Sequence, residues 1–84
     1  GEVLKLANLH NVDAEVLEFL VKENSPVTKN IVKDIKLTKK AVFGGVIRNG
    51  VAMMTFGDFQ IQAGDKAVVF CLPEAIHKVE KLFN

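Results

Sequence analysis

The apolar positions change their spacing several times along the chain, and each change marks an element boundary. From Glu2 to Asn11 the pattern is weak, with Val3, Leu4, Leu6 and Leu9 apolar, and fits either the end of a linker helix or a strand. Residues 1–12 are read as a linker or N-terminal extension, and 13–84 as one domain. Asp13 to Lys22 reads as a strand. Ala14, Val16 and Leu20 fall on one face, and Leu17, Phe19 and Val21 on the other. Two mostly apolar faces predict an interior strand covered on both sides. Ser25-Pro26 then signals a helix start, since serine can cap free amides and a first-turn proline has no N–H to waste. Val27, Ile31 and Ile35 recur every fourth residue, predicting a helix from about Pro26 to Lys36 with one apolar stripe.

Asn49-Gly50 lies between Ala41–Arg48 and Val51–Phe56. It is a strong two-residue hairpin signal, because both central residues of a type I′ turn need positive φ. This turn pairs Arg48 with Val51, Ile47 with Ala52 and Val46 with Met53. Extended back, it pairs Gly45 with Met54 and Phe43 with Phe56. Phe43, Ile47, Ala52, Met54 and Phe56 would then form the core face, with Val46, Arg48, Val51 and Met53 opposite. Gly44-Gly45 in mid-strand predicts a close approach by another group. An Ile61-Gln-Ala-Gly-Asp65 turn leads into Lys66–Leu72, an apolar run that stops at Pro73. Pro73-Glu74 opens a last helix to about Phe83, with Ile76, Val79, Leu82 and Phe83 on its apolar stripe. The fold class is α+β: a small mixed or antiparallel sheet of about four strands, with a β-hairpin and two helices.

A domain of 84 residues buries only roughly 60–65% of its unfolded surface, so its stability margin is thin. The usual reinforcements are a disulfide, a metal or a partner subunit. One cysteine excludes an intramolecular disulfide, and His10 and His77 are too far apart for metal-ligand spacing. Oligomerisation remains, and an apolar share of 49% in so short a chain points the same way. The net charge of +1 is spread among interspersed lysines and acids. The densest basic stretch, Lys36 to Lys40, holds three lysines, so no stripe favours nucleic acid. No run reaches the ~20 apolar residues of a membrane span, and the N-terminus lacks a signal-peptide pattern. A free cysteine within an apolar strand fits a reducing compartment.

Catalytic chemistry has no foothold in the pattern. Nucleotide glycine fingerprints, P-loops, zinc motifs and nucleophile elbows are missing, and no base–nucleophile pair stands out, so the chain reads as no enzyme. Asp58 and Asp65 each follow a glycine and read as turn residues. Cys71 reads as a small buried hydrophobe. His77 reads as a solvated or half-exposed histidine, with ligand binding or pH sensing as the alternative; His10 carries no reading. Met53-Met54 fits core or dimer packing. Arg48 is open to two readings: a solvated strand-end cation, or an anion contact in a pocket lined by Val46, Ile47 and Met53. Asn49 shares that choice, although the type I′ turn already explains it. A small anionic ligand would be placed at Val46, Ile47, Arg48, Asn49 and Met53.

Ala41-Val-Phe-Gly-Gly-Val-Ile-Arg-Asn-Gly-Val51 and Ile61-Gln-Ala-Gly-Asp-Lys-Ala-Val-Val-Phe70 resemble the TrkA C-terminal domain family, the RCK C-lobe. In that family an apolar strand ends in Ile-x-Arg-x-Gly, and an Ile-x-x-Gly-Asp turn precedes Val-Val-Phe. The likeness continues through Pro73–Ile76 and Val79–Phe83 and covers about Asp13 to Phe83. The family often carries a proline where this chain reads Met54-Thr55-Phe56. The resemblance implies a cytoplasmic regulatory domain, held at the inner membrane by a potassium transporter subunit. It also implies a homodimer and a nucleotide-binding RCK lobe elsewhere in the full-length protein. In some relatives cyclic di-AMP binds between paired C-lobes; otherwise no cofactor and no nucleic acid are implied. Regulation of another cation or anion transporter, or a purely structural dimerisation role, are the alternatives.

Overall fold

The computed structural model describes residues 2–8 and 13–84. Leu9, His10 and the rest of 9–12 lie outside the described residues, as does Gly1. The strands are β1 (Glu2–Asn8), β2 (Glu15–Leu20), β3 (Ala41–Arg48), β4 (Val51–Met53) and β5 (Lys66–Cys71). They form a five-stranded sheet in the order β1-β2-β5-β3-β4, antiparallel at every junction. The α+β class holds. Residues 2–8, for which helix and strand were both open, are strand β1, paired along β2.

Alternation along β2 and β5 builds the core. Leu17 opposes Val69, and Phe19 opposes Ala67, all on one face and all buried. The last segment covers that face: a 3₁₀ turn over Pro73–Ala75 leads into helix α1 (Ile76–Glu80), and Ala75, Val79 and Phe83 are buried. Val27 and Ile61 close the remaining gap. The Phe83 ring lies parallel to Phe19, with centroids 4.2 Å apart. The other face of the sheet carries Val16, Val68, Phe70, Val42 and Ile47. Of these, Val42 is 58% exposed and the other four are half-buried; Glu18 and Lys66 lie on the same face. The strand expected to be covered on both sides is thus interior in the sheet order, with one face buried and the other half-buried.

The hairpin turn forms as its sequence dictates, with φ 51° at Asn49 and 79° at Gly50, and the predicted Val46–Met53, Ile47–Ala52 and Arg48–Val51 pairs. The predicted core face does not survive. The β3–β5 register slips between Phe43 and Gly45, a bulge that puts Phe43 and Val46 on the same face. Val46 is buried and Met53 packs against the core, whereas Ile47 turns to the open face. The pairing stops at Met53, so the extended Gly45–Met54 and Phe43–Phe56 pairs are absent, and Met54 and Phe56 are 64% and 69% exposed. Two glycines make the bulge: Gly45 has φ 145°, and at Gly44 the Phe70 ring fills the space a Cβ would need. A Gly45→Ala side chain would lie 2.9 Å from the Met53 carbonyl oxygen in a backbone region that alanine avoids. It should cost about 1–3 kcal/mol in chemical denaturation. An unchanged midpoint would mean that the bulge relaxes freely.

The helix predicted over Pro26–Lys36 is instead two 3₁₀ turns, Pro26–Thr28 and Val32–Asp34, separated by extended Ile31. β-Branched Val27, Thr28, Ile31 and Val32 weaken helix formation there. The loop before β5 takes the backbone groups a helix would use. Val32 and Lys33 amides donate to the Phe59 and Gly57 carbonyls at 2.9 Å, and the Gln60 side-chain amide donates to the Thr28 carbonyl at 3.0 Å. Ser25 does not cap with its side chain; its hydroxyl donates to the Lys22 carbonyl at 2.8 Å.

Candidate functional site

The end of β3 and the turn before β5 meet in one charged cluster. Ile47 opposes Lys66, so one residue further on Arg48 reaches the level of Asp65. Arg48 Nε donates to Asp65 Oδ1 and Arg48 Nη2 to Asp65 Oδ2, both at 2.8 Å. Nη2 also donates to the Gln60 carbonyl at 3.0 Å. The guanidinium carbon lies 5.1 Å from the centre of the Phe59 ring, a cation–π contact. Asp65 also accepts the Gln62 amide at 2.9 Å, while its own amide donates back to the Gln62 carbonyl at 3.1 Å. Gly64, with φ 91°, supplies the positive φ this turn requires.

The Asp65 side chain is only 2% exposed and that of Arg48 24%. Burial pushes the Asp65 carboxyl up, but the Arg48 hydrogen bonds, the Gln62 amide and the Arg48 charge outweigh it and hold it below the ordinary carboxylate value. The hydrogen bonds from Arg48 to Asp65 in turn raise the guanidinium further, against a smaller effect of burial. The cluster clamps the hairpin to the loop and to β5. The reading of Asp65 as a turn residue is right as far as it goes, but the side chain also neutralises Arg48. The clue is the register: with Asn-Gly fixing the end of β3 and Gly64-Asp65 the start of β5, antiparallel pairing brings the two charges together.

The five residues expected to hold an anion are spread over two faces of the hairpin and its turn. Val46 is buried, Met53 packs on the core, Ile47 lies on the opposite face, and Asn49 is exposed at the turn tip. Arg48 is neither a free strand-end cation nor aimed at an open pocket with Val46 and Ile47, because its fork is occupied by Asp65. Cys71 is buried, and burial together with the nearby Glu15 charge pushes its thiol up, which fits an inert core position. The His77 side chain is 96% exposed beside Glu80, at 3.4 Å. Asp58 is exposed in its turn. No cluster of three His, Cys, Asp or Glu side chains able to hold a metal occurs among the described residues. No helix among them is long and apolar enough to cross a membrane.

The described residues thus form a small antiparallel sheet domain in which a structural ion pair fastens the hairpin to the start of β5. The TrkA-C domain family model matches residues 16–84, and the chain belongs to that family. The Trk system potassium uptake protein TrkA of Azorhizobium caulinodans is 36% identical over 84 residues, covering all of this chain and 18% of that protein. TrkA homolog 2 of Methanosarcina mazei is 31% identical over 79 residues, covering 94% of this chain and 18% of that protein. The chain thus spans under a fifth of the length of these curated relatives. A solved structure described as "Structure of RCK domain with cda" has the same fold, with a TM-score of 0.67 and 17% identity, covering 82% of this chain and 97% of that one.

Proposed function

We propose that this chain is the regulatory domain of a larger potassium-uptake protein, cytoplasmic and held at the inner membrane through a transporter subunit. Two copies pair through the outer sheet face, and the arrangement of the pair biases the pore. Family membership and the names of the relatives support the assignment to potassium transport. The observation that supports the pairing is the apolar row on the outer face of the sheet, exposed at Val42. Val16, Phe70 and Val42 form one continuous row across three strands, and Val42 is 58% exposed. Such a surface on a domain with a thin stability margin calls for a partner. A nucleotide-binding lobe elsewhere in the full-length protein completes the unit.

A ligand that gates such a pair acts only through different affinities for its arrangements. The commitment of Arg48 to Asp65 favours a second reading, in which the hairpin has a structural role and binds nothing. Rubidium uptake by cells expressing the full-length protein without residues 13–84 tests the transport assignment. Altered dependence of uptake on external potassium is expected, and identical uptake curves would refute it.

A further inference from the structure

Among the described residues of β2, β3 and β5, the outer face of the sheet is apolar except at two positions of opposite charge. Beyond the row of Val16, Phe70 and Val42, Glu18 opposes Val68. The next rung places Lys66 between Leu20 and Ile47. Strand alternation puts Glu18 and Lys66 on this face, because their neighbours Leu17, Phe19 and Ala67 are buried on the other. Glu18 is half-buried and Lys66 exposed. They sit on neighbouring strands, offset by two residues, a diagonal of about 7–8 Å. The ion pairs among the described residues are Lys40–Glu74, Arg48–Asp65 and His77–Glu80, so none joins Glu18 to Lys66 within the chain.

Covering this face takes both charges out of water, which costs free energy unless each gains an opposite charge. In a two-fold contact one patch meets its own copy, so a residue that touches another is touched by it in return. One acid and one base on such a patch therefore neutralise each other twice. We propose that Glu18 of one copy lies against Lys66 of the second, and the reverse, and that these two contacts fix the register of the pair. The inference rests on the reading of the outer face as the contact between copies. Sliding the copies along their strands separates the opposite charges and leaves each of them buried alone. The apolar row thus supplies attraction, while the charges select one arrangement among several apolar ones. The partner that this face fits is accordingly a second copy of this chain.

Sedimentation equilibrium of Glu18→Lys, Lys66→Glu and the double variant tests the register, with circular dichroism to confirm the fold. Each single variant sets like charges across the contact and should raise the dissociation constant of the pair at least about tenfold. Lys66 is exposed, so Lys66→Glu carries the test even where Glu18→Lys disturbs β2. The double variant Glu18→Lys/Lys66→Glu faces opposite charges again and should pair as the parent does. Lys5 of β1 stands opposite Glu18 in the register, so Glu18→Lys/Lys5→Glu is the control for a role of Glu18 inside its own chain. Restoration by Lys5→Glu instead of Lys66→Glu would overturn the proposal, as would a double variant that pairs as weakly as the single ones. Single variants that pair as tightly as a dimeric parent would also overturn it, while leaving pairing through this face intact. A monomeric parent would remove the pairing itself, and the register with it.

Discussion

Arg48→Ala is expected to destabilise the domain by about 3 kcal/mol, near the low end for breaking a buried ion pair because Arg48 keeps partial contact with water. The loss comes chiefly from Asp65, which remains 2% exposed with a carboxylate whose strongest partner has gone. Small domains hold only about 0.05–0.15 kcal/mol per residue, so this is a large share of the total. Arg48→Lys should recover only part of it, since an ammonium cannot reproduce the two parallel bonds. Urea denaturation measures both variants. A loss under about 1 kcal/mol would mean that the pair behaves as an exposed surface bridge.

Acid titration sharpens the same prediction. The carboxyl of Asp65 is lowered in the folded state, so the unfolded chain binds the extra proton first. The contribution of the pair is complete above the ordinary aspartate value of about 3.9 and is lost as pH falls through the folded-state value. In Arg48→Ala, protonation relieves the buried charge instead. The stability gap between variant and parent should therefore narrow as pH falls below about 4. A gap that stays constant through that range would assign the cost of the substitution to lost packing rather than to charge.

Phe83→Ala is expected to cost about 3–5 kcal/mol, the range for emptying a buried aromatic site. The ring is fully buried and stacks 4.2 Å from Phe19 on the central part of the sheet. Its neighbours bind the first 3₁₀ turn to the C-terminal segment: the Val27 amide donates to the Leu82 carbonyl at 2.9 Å, and the Ser25 hydroxyl to the Phe83 carbonyl at 3.3 Å. Loss of the ring should therefore loosen the turn over Pro26–Thr28 as well as α1, visible as faster amide exchange at Val27. Phe83→Leu keeps most of the volume and should cost distinctly less. A thermal midpoint for Phe83→Ala close to that of the parent would contradict the assignment of this residue to the core.

The hairpin turn, the strand after Gly64-Asp65 and the final helical segment were legible because each depends on a few residues with strong local preferences. Positive φ at Asn49-Gly50 and proline at position 73 act within one turn of the chain. The bulge at Gly44-Gly45 was visible as a glycine pair, but not as a change of parity, and the faces assigned to Val46, Ile47 and Met53 were inverted. The Pro26–Lys36 helix failed because the segment's hydrogen-bond partners lie some thirty residues away in the loop before β5, beyond the reach of periodicity. The clamp was missed for a related reason. Asp65 was read as a turn residue and Arg48 as either a solvated cation or an anion contact, whereas their juxtaposition is a consequence of strand register. The apolar share of the sequence was read as pointing to a partner, and the row of Val16, Phe70 and Val42 across three strands is where we propose that partner sits.

Sedimentation equilibrium of the parent chain and of Val42→Glu, at tens of micromolar, tests the central claim of pairing through the open face. Val42 is 58% exposed in the single chain, so the added carboxylate should leave the fold intact while placing a charge at the middle of the contact. The account predicts twice the 9.2-kDa chain mass for the parent and the single mass for the variant, with matching circular dichroism spectra. A monomeric parent, or a variant that pairs as tightly as the parent, would contradict it.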